Sequence, residues 1–389
     1  MKDGIADIGL SEWNPAGMQM ISTGDNSSFE VQVINDAGSL GALSDALREL
    51  DRMYPPETAY QSADFLVPWL LYASSRAKLH TMLLFEKGLI KAALPLVSDE
   101  VKRGPLTIPR LGFPTRGGHP PSFDVRLGEK MAAPAAELLL STFSKSGAPW
   151  KVLSLRHLSG NSPLLQIFPD MCRKRGLSFS WFPARRESYL VLDGDWESYL
   201  ARLRRKHRKE INRGFRRIQE VGGWEFVDEW PGEDSVRELL DRYLKVVKGS
   251  WKSDETEDVR FIELLEGVMR SFARKGDLLI SWLRGPSEDA AALIQLRRGR
   301  SLSAYHMAYT EACPVKGAGT ELLGHAIFHA FDTGSVIYDF STYAEHIHRW
   351  RPFYRNTVNV YITKKTPSGW LIQRQMKKRE SKPDSEMER

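Results

Sequence analysis

Two strand-like runs, 291–297 and 302–309, lead into a glycine turn, Lys316-Gly317-Ala318-Gly319-Thr320, that opens an amphipathic helix, and a third strand follows near 334–341. A chain with that order of parts must place a helix N-terminus beside the edge of a strand. The first N–H groups of a helix have no internal partner and lie at the positive end of its dipole, so glycines there let a diphosphate approach bare backbone. Leu322, Leu323, Ala326, Ile327 and Ala330 then recur at helical spacing, giving the helix a face to pack on a sheet. Glycine turns of this kind are also plain tight connections; the flanking strands are what favour a phosphate cradle.

At 389 residues, with 42% hydrophobic content and 11 Trp, 12 Tyr and 17 Phe, the chain can fill two cores. Its net charge of +6 suits an anionic ligand without naming one. The two cysteines, Cys172 and Cys313, are far apart and form no CxxC, so neither a disulfide scaffold nor a metal site is expected. With no apolar signal core and no run of about 18 apolar residues, the reading is a soluble cytoplasmic protein without a membrane span.

Residues 1–28, rich in Gly, Ser, Asn and Asp, read as a flexible arm, and regular structure is expected from Phe29, within a first domain over 29–195. Residues 102–121 carry five prolines and four glycines and read as an extended, functional loop. A basic connecting helix is expected over 196–223, with nine Lys and Arg side chains between Arg202 and Arg217 and an apolar stripe of Leu200, Leu203, Ile211, Phe215 and Ile218. Its wet face is either a solvated surface or a site for an anionic ligand. Few aromatics interleave the charges, which disfavours single-stranded nucleic acid. A second domain over 224–372 repeats the succession of elements, and 373–389 reads as a disordered tail.

The run Trp196-x-x-Tyr199-Leu200-x-x-Leu203-x-x-Lys206-x-Arg208-Lys209-x-Ile211, a later Gly222-Gly223, Trp251-Lys252 after a helix, Thr320-Glu321-Leu322-Leu323 at a helix start and Tyr338-Asp339-Phe340 on the next strand together resemble the GNAT-type acyltransferases of the CelD family. These are bacterial proteins related to the Fem-type peptidoglycan transferases and often associated with polysaccharide production. The resemblance covers about 31–363 and is more specific in the second half. It implies a mixed α/β fold of two tandem GNAT-like domains, each a mixed sheet flanked by helices, with an acyl-CoA donor such as acetyl-CoA bound by the second. Lys316, Gly317, Ala318, Gly319 and Thr320 would hold the donor's diphosphate. The family's glycines are matched, but Pro314 stands at the family's Gln/Arg position, where Lys316 can substitute as a point charge. The glycine and lysine that relatives carry after the Asp-Phe strand are replaced here by Tyr343 and His348 or its neighbour.

Acyl transfer to an amine needs a polarised carbonyl, a deprotonated amine and an acid for the leaving thiolate. Backbone amides on 302–309 can supply the first. His306 is the candidate base, or else an ordinary residue of a bulky strand. Asp339, inside an apolar strand, must be bonded, either to a structural partner or as part of the site. Tyr309 or Tyr343 is the candidate acid, or else a core hydroxyl, and Glu345 joins Tyr343 in the loop after that strand. The acceptor is a small-molecule, saccharide or peptide amine. Two rivals remain: a non-catalytic glycan- or partner-binding protein, and aminoacyl transfer from charged tRNA.

Overall fold

A computed structural model describes residues 19–23, 27–103, 106–115, 122–145, 147–310, 316–342 and 344–380. The first half runs β1 (Gln19–Thr23), β2 (Ser27–Ile34), α1 (Leu40–Met53), α2 (Ala63–Ser74), β3 (Lys78–Leu79), β4 (Thr81–Glu86), β5 (Leu89–Leu94), β6 (Val97–Arg103), β7 (Leu106–Gly112), β8 (Arg126–Leu127), α3 (Ala132–Ser144), β9 (Val152–Ser159), α4 (Leu164–Lys174) and β10 (Leu177–Val191). The second runs α5 (Trp196–Arg202), α6 (Arg205–Val221), β11 (Glu225–Glu229), α7 (Val236–Lys248), α8 (Val259–Ala273), β12 (Leu278–Arg284), β13 (Asp289–Arg298), β14 (Ser301–Tyr309), α9 (Ala318–Asp332), β15 (Ile337–Asp339), β16 (Phe353–Lys364) and α10 (Pro367–Glu380).

One sheet of 11 strands, in the order β11-β12-β13-β14-β15-β10-β16-β9-β7-β6-β3, crosses both halves, and β1-β2-β4-β5-β8 form a second sheet. The halves exchange strands at its centre. β10, the last strand of the first half, lies against β15, while β16, the last strand of the chain, lies against β9, and the two pair with each other from Leu177↔Lys364 to Tyr189↔Phe353. Each half also holds one parallel pair, β7 with β9 and β14 with β15.

Alternation along the strands sorts the second half's core into two faces. Leu278, Ile280, Trp282, Ile294 and Leu296 pack with α7 and α8. Leu279, Leu283, Leu293 and Leu302 pack with α5, α6 and α9. Each of these fully buried leucines contributes roughly 1.5–3 kcal/mol. On the first face α2 meets α8, with Gly267 close against Pro68.

Four readings of the sequence give way here. Pairing begins before Phe29, because the edge strand β1 is held by backbone bonds to β2 and needs no apolar period. Within 102–121, Leu106–Gly112 is strand rather than loop, with Pro109 opposite Glu100. The tail expected from Gln373 is helical to Glu380, since Ile372 and Met376, one turn apart, bury against Ile108, Val152 and Tyr361. The basic segment is two helices, not one: α5, capped by Asp195 accepting from the Ser198 N–H at 2.8 Å, ends at Leu203, whose extended backbone turns the chain before α6. No helix among the described residues is long and apolar enough to cross a membrane.

Candidate active site

The helix α9 starts at Gly317, whose φ of +96° is left-handed and so suits only glycine, and no side chain caps this end. The N–H groups of Thr320 and Glu321 turn back to the Gly317 carbonyl at 2.8 and 3.0 Å. The two glycines of the turn serve different needs. A Cβ at Gly317 would meet nothing, leaving its backbone open, whereas one at Gly319 would lie 2.6 Å from the Tyr309 ring. Lys316 and Gly317 are exposed, and Ala318 and Gly319 are buried. Pro314 and Tyr343 lie outside the described residues.

The basic helix α6 packs beside this turn. A side chain at Gly214 would collide with the Glu321 carboxyl, and one at Gly324 would press on Phe215 and Trp350. Burial pushes the Glu321 carboxyl up to about 8, with Arg217 pulling the other way. Glu321 is therefore neutral near pH 7, so the first turn of α9 carries no carboxylate to repel an anion.

Strands β14 and β15 pair only over Ser301–Ser303 and Ile337–Asp339. Beyond that they part, and β14 bulges at Tyr305, since Ile294 faces His306 but Gln295 faces Ala304. Tyr60, from the other half, reaches into the opening and donates to the Ala304 carbonyl at 3.2 Å. Asp339 sits at the end of β15, 3% exposed. Its carboxylate accepts from the Ser341 N–H at 2.8 Å and hydroxyl at 3.2 Å and pairs with Arg355 of β16. Asp339 thus ties β15 to a strand beyond β10. Beside it burial raises Glu187 above the ordinary carboxylate range, against the pull of Arg185 at 3.2 Å.

On the face covered by α7 and α8, His306 has a partner at each ring nitrogen. Nδ1 meets the Tyr243 hydroxyl at 2.6 Å, and Nε2 meets Lys252 Nζ at 3.2 Å and Glu255 Oε2 at 3.1 Å. Tyr243 comes from α7, while Lys252 and Glu255 come from the α7–α8 connection. Burial lowers Lys252 below the ordinary lysine range, against Glu255, and raises Tyr243 far above the ordinary phenol. Trp251 stands at the rim, 73% exposed. A histidine so held, beside a lysine of reduced basicity, can pass a proton. The sequence flagged His306, and Lys252 only within the Trp251-Lys252 motif of the resemblance, but not Tyr243 or Glu255.

The remaining candidates are dispersed. Tyr309 is half-open to solvent with its ring on Gly319. Glu345 is exposed at the head of a 3-10 turn, Glu345–Trp350, and no hydrogen bond joins it to His306 or Asp339 among the described residues.

Residues 205–350 match the model of the acetyltransferase (GNAT) domain family. The chain carries a GNAT acetyltransferase domain. Its matched segment starts with α6, so the basic helix falls inside the domain. Across both halves the fold is that of FemX, with a TM-score of 0.52 at 10% identity over 82% of this chain and 95% of that one. The C-terminal DUF2156 domain of a proposed lysylphosphatidylglycerol synthetase from Agrobacterium fabrum is similar at a TM-score of 0.51, with 14% identity over 87% of this chain and 97% of that one. No curated protein matches the sequence. In this GNAT domain the parallel pair that parts is β14 with β15, and α9 is the helix between them.

Proposed function

We propose that the protein is a cytoplasmic acyltransferase that moves an acyl group from acyl-CoA, such as acetyl-CoA, to an amine acceptor in polysaccharide or cell-envelope chemistry. The observation that carries this is the uncapped, glycine-opened start of α9 next to the opening between β14 and β15, with His306 and its partners at the same strand. Gly317, Ala318 and Gly319 would hold the donor's diphosphate by backbone amides, with Thr320, whose N–H is bonded to the Gly317 carbonyl, offering its hydroxyl; Lys316 would add a charge, and neutral Glu321 would leave the field at the helix start positive. His306 takes the proton from the attacking amine, with Tyr243 fixing the ring and Lys252 tuning its charge. The amine nitrogen bonds to the thioester carbon, the C–S bond breaks, and the thiolate leaves with a proton for which Tyr309 is the candidate donor. Asp339 positions β15 by its pairing with Arg355 rather than touching the reacting atoms.

A charged tRNA as donor is the second reading, favoured by one observation, the 17-residue basic helix packed along α9. Thermal unfolding with acetyl-CoA, longer acyl-CoAs and charged tRNA separates the two, because a ligand at a hundred times its Kd stabilises the native state by about 2.7 kcal/mol. Stabilisation by acyl-CoA supports the first reading, and stabilisation by charged tRNA alone replaces it with the second. A chain that none of them stabilises is a binding protein that has kept the fold without the reaction.

A further inference from the structure

Where α6 meets the first turn of α9, the fold leaves one buried side chain unanswered. Glu321 is 7% exposed, and its buried Oε2 has no hydrogen-bond partner among the described residues. The carboxyl lies over the backbone of Gly214, where a Cβ would collide with it. Raised to about 8 by burial, it keeps its proton near neutrality and so presents an O–H donor without an acceptor. A buried donor in that state is costly, and a phosphate oxygen is among the strongest acceptors it can meet.

Two cations of α6 stand beside it. Arg217 lies one helical turn past Gly214, and its charge bears on the same carboxyl. Arg213 lies one turn before Arg217 on the same face, and both are exposed. Like charges at that spacing repel one another. The acids of α6 do not relieve them, because Glu220 pairs with Arg216 at 3.2 Å and Glu210 with Arg349. Among the described residues neither Arg213 nor Arg217 makes a hydrogen bond or an ion pair. The one carboxyl near Arg217 is the protonated Glu321, which cannot neutralise it.

Resting on the acyl-CoA reading, we propose that Arg213 and Arg217 bind the phosphate monoester of coenzyme A, which is carried on the same ribose as the diphosphate, and so fix the donor between α6 and α9. The charges of the donor call for such a partner. The start of α9 supplies about half an elementary charge and Lys316 one more, against about two on the diphosphate, while a phosphate monoester adds roughly 1.5 to 2 at neutral pH. The glycine turn therefore has no charge left for the monoester. Two arginine forks match its oxygens, and the Glu321 O–H can donate a further bond.

Calorimetric titration of the full chain with coenzyme A and with dephospho-coenzyme A, which lacks only the monoester, tests it. The wild-type chain is expected to bind coenzyme A about ten-fold or more tighter than dephospho-coenzyme A, a preference that shrinks as salt rises. The double variant Arg213→Gln/Arg217→Gln should bring coenzyme A down to the affinity of dephospho-coenzyme A. Both positions are exposed, and an unchanged circular dichroism spectrum shows that the variant is folded. Arg205→Gln/Lys209→Gln, on the part of α6 turned away from Gly214, should keep the preference. Equal affinity for the two ligands in the wild type overturns the inference and leaves the acyl-CoA reading standing. So does a preference that survives Arg213→Gln/Arg217→Gln, or one that falls as far with Arg205→Gln/Lys209→Gln, the mark of general charge attraction. Binding of neither ligand removes the acyl-CoA reading and the inference with it.

Discussion

The two halves use the same crossover and end it differently. In the second, β14 passes to α9 through an open glycine start; in the first, β7 passes to α3 through residues 113–131, and α3 begins Met131-Ala132-Ala133-Pro134. Pro134 has no N–H to offer in that first turn, and Met131 is buried. The openings beyond the parallel pairs differ as well. In the first half Phe113, Phe123 and Trp69 fill it, with ring centroids 5.9 Å apart for Phe113–Phe123 and for Trp69–Phe123, and Trp69 Nε1 donates to the Pro114 carbonyl at 2.8 Å. In the second it is lined by Tyr60, Asp339 and the bulge before His306. The same topology thus carries apolar packing in one half and polar groups in the other, and under the proposed function the donor would sit in the second.

That contrast is broken most severely by exchanging a residue from each opening. His306→Ala is expected to lower the acetyl-CoA-dependent rate about 10²–10⁴-fold, the usual worth of a positioned acid or base, and to cost about 1–3 kcal/mol of stability, because the buried Tyr243 hydroxyl loses its partner. Trp69→Ala should cost more stability, about 3–5 kcal/mol, without touching the groups around His306. Equal rates in wild type and His306→Ala would remove the histidine from the mechanism.

The joint between the halves comes next. Arg355→Ala leaves the Asp339 carboxylate, 4% exposed as a side chain, without its counter-charge and should destabilise the fold by about 3–5 kcal/mol. Asp339→Asn with Arg355 intact tests whether the carboxylate acts in the reaction: a rate within a few-fold of wild type, measured where the variant is folded, keeps Asp339 as a positioning residue. Smaller again is Gly319→Val, where the new side chain must displace the Tyr309 ring. A cost of about 1–3 kcal/mol is expected, together with loss of the thermal shift from acyl-CoA. A retained shift would place the donor elsewhere.

The sequence announced α9 because glycines and a helical period are local signals, and it announced β13, β14 and β15 as strand-like runs, while β1 and β7 escaped it. It could not announce which strand pairs with which. Nothing in the alternation of β10 or β16 states that each will lie in the other half's sheet, since a period of two specifies a face and not a neighbour. The site divides on the same line. His306 was legible as a titratable group on a strand, but Tyr243 and Lys252 stand 63 and 54 residues away and meet it only because α7 packs across β14. Asp339 was legible as a buried charge in need of a partner, and the fold supplied Arg355. The helix of the last segment escaped notice because two buried side chains, Ile372 and Met376, carry its docking.

The finest distinction between the halves is electrostatic and lies in Glu321. Its carboxyl, raised to about 8 by burial against Gly214, stays protonated in the folded chain while the unfolded chain releases its proton near the ordinary value of 4.5. Between those two values the native state holds more protons than the unfolded state, so stability falls as pH rises through the window; below it and above it this group contributes no slope. Glu321→Gln removes the titration while keeping the shape. The variant's melting temperature should exceed that of wild type by an amount that grows from pH 5 to pH 8 and then levels. The same substitution should flatten any loss of acyl-CoA affinity above pH 8, because an ionised carboxylate in the first turn of α9 opposes the dipole that attracts the donor's diphosphate. A difference in melting temperature that does not change with pH would mean that Glu321 is already ionised at neutrality, and the start of α9 would then be a weaker anion site than its open backbone suggests.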